Sequence, residues 1–182
     1  MIEKSQLRQL VLGYRRMLSE EEFVKRNTLI CDSVLKWIDT RKCRVIHLFT
    51  PIARNREVDL TVLFPALWKR GMTIVTSKTD FKRKKMTHHE IGPTTRLVEN
   101  KYGIPEPEGT KEIPIDSVDV VIVPMVLGDK KGNRIGYGGG YYDRLLNEFD
   151  GPAVGVSLSS IADDIPSESH DVSLSEILSP IN

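Results

Sequence analysis

Val118-Asp119-Val120-Val121-Ile122-Val123 is a near-continuous apolar run. A strand with one wet face alternates apolar and polar residues, whereas a strand covered by helices on both faces need not. The run is therefore read as a central strand of a parallel sheet. Upstream, a helix is expected over 2–17, with Leu7, Leu10, Val11 and Tyr14 at spacings of three and four facing the sheet. Ser19-Glu20-Glu21-Glu22 reads as a capping box for a second helix ending near Thr40, whose buried stripe is Phe23, Asn27, Ile30, Val34 and Trp37. A short strand at 44–49 runs into a polar, Pro-containing loop at 50–56. Asp59 is suited to cap a third helix with Leu60, Leu63, Phe64 and Leu67 on its apolar face, and Gly71 precedes a strand at 72–76.

From 78 to 114 the pattern weakens to a basic stretch, a strand at 86–91, a helical turn at 95–100 and a Pro-rich run at 102–107, read mostly as excursions. Downstream of the central strand come a Gly-rich loop, a helix over 140–149, a strand at 153–157 and a polar tail with an apolar segment near Ile177. Helix and strand thus alternate, which predicts a three-layer α/β/α fold with a mainly parallel central sheet. Sites in such folds lie beyond the carboxyl ends of the strands. No repeat or long linker divides the chain, so 1–182 is expected to form a single domain.

Composition narrows the partners. The 182 residues are 40% apolar and 28% charged, enough to bury one substantial core. With 26 Lys plus Arg against 25 Asp plus Glu, no whole-chain positive field points to nucleic acid or a membrane surface. The start has no leader pattern and no run approaches a membrane span, so a cytoplasmic protein is expected. Cys31 and Cys43 lack zinc or redox spacing and read as reduced thiols. His47, His88, His89 and His170 have no zinc-ligand spacing beyond one adjacent pair, whose side chains would point oppositely on a strand.

The loop after the central strand is Gly128-Asp129-Lys130-Lys131-Gly132-Asn133-Arg134-Ile135-Gly136-Tyr137-Gly138-Gly139-Gly140-Tyr141-Tyr142-Asp143-Arg144. Four glycines within five residues free several backbone N–H groups at close range, and the following helix adds a partial positive charge, a combination suited to phosphate. Arg134 is able to pair with a phosphate oxygen, and Asp143 offers a hard carboxylate for magnesium. Neither the Walker pattern nor the dinucleotide Gly-x-Gly-x-x-Gly is present, because Tyr141 stands at the last glycine. A tight strand–helix junction without a ligand is the plainer alternative.

The string DKKGNRIGYGGGYYDRLL resembles the signature of the 5-formyltetrahydrofolate cyclo-ligase family, also called methenyltetrahydrofolate synthetases. Lys4-Ser5-Gln6-Leu7-Arg8 resembles that family's Lys-x-x-Leu-Arg element, and Glu57 follows the first strand where the family has a substrate-binding glutamate. Tyr102-Gly103-Ile104-Pro105-Glu106-Pro107 resembles its Gly-Ile-x-Glu-Pro stretch, and Ile165-Pro166-Ser167-Glu168-Ser169-His170-Asp171 its C-terminal end. Where many members have Pro-Gly and then Phe-Asp, this chain has Pro124-Met125 and Gly128-Asp129, which is expected to alter wall packing.

The resemblance implies ATP- and magnesium-dependent closure of 5-formyltetrahydrofolate to 5,10-methenyltetrahydrofolate, and a monomer is expected. It assigns ATP to Lys4, Arg8, Arg134, Ile135, Gly136, Tyr137, Gly138, Gly139, Gly140, Tyr141 and Tyr142, with Lys4 and Arg134 acting in catalysis. Glu57, Tyr141 and Tyr142 fall to the folate, and Asp143 and Asp171 to magnesium. Lys82-Arg83-Lys84-Lys85 reads as a solvated loop or, more sharply, as the seat of a folate polyglutamate tail. The competing readings are a sugar-phosphate isomerase or acyl-transfer enzyme, which would consume no ATP, and a binding module without turnover.

Overall fold

The computed structural model describes residues 2–180; Met1 and 181–182, the ends of the expected 1–182 domain, lie outside them. In chain order its strands are β1 (Val45–His47), β2 (Thr73–Asp80), β3 (Lys85–Ile91), β4 (Leu97–Glu99), β5 (Pro105–Pro107), β6 (Glu112–Ile113), β7 (Val120–Pro124), β8 (Leu127–Gly128), β9 (Arg134–Ile135), β10 (Ala153–Val156) and β11 (Glu176–Leu178). The helices are α1 (Lys4–Met17), α2 (Glu20–Arg41), α3 (Phe64–Lys69) and α4 (Tyr141–Asn147).

Seven of the described strands form one sheet in the order β11-β10-β7-β1-β2-β3-β6. The first four pairings are parallel, while β2–β3 and β3–β6 are antiparallel. The sheet is mainly parallel, as expected, with an antiparallel extension at one edge. The apolar run is β7, and its side chains divide between two cores. Val120 and Ile122 join Ile30, Val34 and Ile38 of α2, while Val121 and Val123 join Leu145 and Leu146 of α4. All four valine and isoleucine side chains are fully buried, contributing about 1.5–3 kcal/mol each by removal from water.

α2 starts where Ser19 predicts, its hydroxyl accepting the Glu22 N–H at 3.1 Å. The box is only half made, because the Glu22 carboxylate instead accepts from Arg26 at 2.6 Å. α3 is preceded by a 3-10 turn (Thr61–Leu63), and Leu60, Leu63, Phe64 and Leu67 are buried as expected. Gly71 turns the chain into β2 at φ 72°.

The structure corrects the reading in two places. The helical turn expected at 95–100 is instead strand β4, paired antiparallel with β5, whereas the strand expected at 86–91 is present as β3, paired with a β2 that extends to Asp80. On α1, Leu10 and Tyr14 do not face the sheet; they are 65% and 48% exposed. The helix lies over the loops instead, packing Leu7 and Val11 on Val126, Ile135 and Ile165. The side chain it buries completely is Arg15, whose Nη2 donates to the Met125 and Val126 carbonyls at 2.6 and 2.8 Å.

Met125 and Gly128, the departures from the usual pattern, compensate each other. Met125 is buried, and a Cβ at residue 128 would lie 2.9 Å from its Cε and 2.6 Å from Ile177 Cδ1. Volume present at 125 is therefore absent at 128.

Candidate active site

Strand order reverses between β1 and β7, since the chain runs from β1 to β2 on one side and later returns to place β7 on the other. Such a reversal leaves a crevice at the carboxyl ends of the strands. A cleft of about 740 Å³ opens there, bounded by Phe49 and Thr50 after β1, Ser77 on β2 and Pro124 at the end of β7. Every site residue expected from sequence borders it: Lys4, Arg8, Glu57, the whole run 134–143, and Asp171.

The glycine-rich loop forms one wall. Gly138 and Gly140 take φ of 90° and 64°, backbone that a Cβ disfavours. Arg8 reaches across from α1, donating Nε to the Gly136 carbonyl at 2.7 Å, and its guanidinium lies 3.5 Å from where a Cβ on Gly138 would sit. Arg144 ties the loop to the β2–β3 hairpin, donating to Gly139 O at 2.8 Å and Lys84 O at 2.6 Å. The loop is thus held in its open-backbone form from two sides.

Charge is paired around the rim. Arg134 is buried, donating Nη1 to the Val172 carbonyl and Nη2 to Asp143 Oδ1 at 2.5 Å. Lys4 Nζ meets Asp171 Oδ2 at 2.5 Å and Glu168 Oε1 at 3.7 Å. Burial pushes the Asp171 carboxyl up, but Lys4 and the Glu168 N–H outweigh it and hold the group below the usual range. Glu168, His170 and Asp171 bring ligand atoms within 4.8 Å of one another, a grouping that does not include Asp143. Asp143 Oδ2 and Asp171 Oδ1 nevertheless make no hydrogen bond within the described protein, so each carboxylate keeps an oxygen for a hard cation.

Glu57 forms the opposite end of the cleft. It is 5% exposed, and its Oε2 accepts the Ile52 N–H at 2.7 Å. Burial pushes its carboxyl up to about 7, opposed by hydrogen bonds from Ile52 and Tyr137 and by the Arg15 charge. Burial likewise raises the Tyr137 and Tyr142 phenols, with the facing Glu57 carboxylate adding to both. Tyr141 stands edge-on to Phe81, centroids 6.2 Å apart, and Phe81 in turn packs on Tyr102 at 4.4 Å.

Sequence reasoning missed Thr50, Ser77, Phe81, Met86 and Ile104 in this lining. They arrive singly from several elements, and no local motif marks them. The basic run 82–85 forms the hairpin turn and the start of β3; its neighbours Phe81 and Met86 line the cleft, while Arg83 faces Asp80 and Lys85 faces Glu148.

Fold and cleft define an α/β protein with a crevice at the carboxyl edge of a mainly parallel sheet. Residues 1–180 match the 5-formyltetrahydrofolate cyclo-ligase family, and the chain belongs to it. Over 183 residues it is 26% identical to a 5-formyltetrahydrofolate cyclo-ligase of Haemophilus influenzae, covering 97% of each chain. It is 29% identical over 173 residues to the Escherichia coli K12 protein of that name, covering 91% of this chain and 94% of the relative. The solved 5,10-methenyltetrahydrofolate synthetase of Aquifex aeolicus superposes with a TM-score of 0.85 at 31% identity, over 98% of this chain and 90% of that one. The synthetase of Mycoplasma pneumoniae shares the fold, with a TM-score of 0.79 at 21% identity over 98% and 99% of the two chains. Among the described residues no helix is long and apolar enough to cross a membrane.

Proposed function

We propose that the chain uses ATP and magnesium to close 5-formyltetrahydrofolate to 5,10-methenyltetrahydrofolate, releasing ADP and phosphate. What supports this reading is the convergence of four separate segments, carrying Lys4 and Arg8, Glu57, the run 134–143 and Asp171, on one cleft. The formyl oxygen attacks the γ-phosphorus and the bond to the bridging oxygen breaks, giving ADP and a phosphorylated formyl group. The 10-nitrogen then attacks the formyl carbon, loses its proton, and phosphate departs with the original formyl oxygen.

Lys4 and Arg8 on α1 and the N–H groups of the 134–142 loop hold the triphosphate, and Lys4 with Arg134 offsets charge as it moves to the leaving oxygen. Glu57 accepts from the pterin's fused donors, and Tyr141 or Tyr142 packs on the ring. The free oxygens of Asp143 and Asp171 would hold magnesium, which supplies charge neutralisation at the phosphates when bound. The chain works as one domain over 1–182, as a monomer, in the cytoplasm.

Gly138→Ala is expected to raise the ATP KM about fivefold, because left-handed strain of about 1 kcal/mol falls on the nucleotide wall. Steady-state kinetics against each substrate checks it; an unchanged ATP KM would count against that wall holding the triphosphate. The activity itself is tested by absorbance growth of the methenyl product from 5-formyltetrahydrofolate with magnesium, with and without ATP. Growth only with ATP is expected, and folded protein giving none would refute the reading.

A further inference from the structure

Arg15 is a fully buried cation to which the proposed reaction gives no part. It sits on α1 seven residues beyond Arg8, behind the wall of the cleft and outside its lining. Its Nη2 is spent on the Met125 and Val126 carbonyls, and the Ser157 hydroxyl lies 3.4 Å away. Its Nη1 points elsewhere, donating to the Tyr137 hydroxyl at 3.3 Å. That hydroxyl faces the Glu57 carboxyl, and both residues line the cleft; the Glu57 Oε2 itself is fixed by the Ile52 N–H. Two backbone carbonyls are ordinary company for a guanidinium, but neither requires burying a full positive charge, which is costly unless something repays it.

We infer that Arg15 is a positioning residue that acts through the Tyr137 hydroxyl to aim the Glu57 carboxyl into the cleft and to favour its ionised form. The inference rests on the reading of Glu57 as the folate-binding carboxylate. The groups facing Glu57 are few: Arg15 from α1, Tyr137 from the glycine-rich loop, Tyr142 from α4 and the Ile52 N–H from the loop after β1. Arg15 is the one cation among them. Burial opposes the charge on Glu57 and places its titration close to neutrality, where a modest change in its surroundings has the greatest effect on the ionised fraction. The pterin offers N–H donors, so the ionised carboxylate is the form that binds. The same helix carries Lys4 and Arg8 at its other end, so a single rigid element organises both halves of the cleft.

Arg15→Met keeps a long apolar stem and removes the charge. Its acid limb in kcat/KM for the folate is expected to move up by about one pH unit, as loss of a nearby opposite charge does. At pH 7 the folate KM then rises about fivefold, as the ionised fraction of Glu57 falls from about one half to about one tenth. Arg15→Lys is expected to return the limb most of the way. A residue of purely structural importance would instead lower kcat/KM at every pH and leave the limb where it was, and that result overturns the inference. If Arg15→Met does not fold, Tyr137→Phe cuts the same link from the other side and must shift the limb in the same direction; an unmoved limb there is equally fatal. Carbon-13 titration of the Glu57 carboxyl, assigned by its loss in Glu57→Gln, reads the same shift without turnover. An inactive but folded wild type would therefore refute the proposed reaction, while a Glu57 titration unchanged in Arg15→Met would refute the role of Arg15.

Discussion

Asp143→Asn should lower magnesium-dependent turnover by at least about 100-fold, the scale on which removal of one preorganised charge-stabilising group acts. Asp143 occupies the first turn of α4, where its Oδ1 takes both the Arg134 guanidinium at 2.5 Å and the Val172 N–H at 3.5 Å. Asparagine keeps an acceptor at that position, so the loop is held, while the charge that a cation needs is gone. The stability change is expected to be about 1.5–3 kcal/mol, the worth of a hydrogen bond to a charged group, because Arg134 is left buried beside a neutral partner. Turnover measured across a magnesium titration, alongside thermal melts, separates the two effects. Unchanged turnover at limiting magnesium would remove Asp143 from the ligand set.

The second large effect concerns acid. His47 and His88 flank Ser77 beneath the cleft, at 2.8 and 3.2 Å from its hydroxyl, with their rings edge-on and 5.3 Å apart. Burial, reinforced by repulsion from His88, lowers His47 to about 3; burial, reinforced by His89, lowers His88 to about 4. Both values lie below that of an exposed histidine, so the unfolded chain takes up protons first. The stability they lend is complete above about pH 6.5 and is lost as pH falls toward 4 and 3. Glu57 acts in the opposite sense, since its raised value favours the folded state as pH drops from about 7 to 4.5. The steepest loss from these groups is therefore expected below about pH 4.5. His47→Gln with His88→Asn keeps nitrogen near each contact with Ser77 and removes the titration. Urea unfolding at pH 7 and pH 4.5 should show the double variant losing less stability than wild type, by on the order of a few kcal/mol. Equal losses would show that the pair does not govern acid sensitivity.

The parts of the fold legible in sequence were those where one physical signal dominated. β7 shows no alternation because both its faces meet helices, and Ser19 marks the start of α2 because a hydroxyl there satisfies an otherwise unpaired N–H. The strand at 86–91 was legible, but its hairpin with β2 was not, because β2 runs on through the polar residues Ser77 to Asp80, whose pairing with β3 no local pattern marks. β4 pairs with a strand containing two prolines, which no local propensity announces. On α1 the stripe that packs inward is Leu7, Val11 and Arg15, and the arginine disguises it. The glycine loop and the charged residues that border the cleft were legible because their chemistry is concentrated in short runs. The remaining lining was not, because Thr50, Ser77 and Ile104 acquire meaning only once the strand ends are brought together.

The most direct test of the account follows the formyl oxygen. With 5-formyltetrahydrofolate labelled by oxygen-18 in the formyl group, ATP and magnesium, the account predicts that the inorganic phosphate released carries the label, one atom per methenyl product formed. Unlabelled phosphate, with the label recovered in water, would contradict phosphoryl transfer to the formyl oxygen.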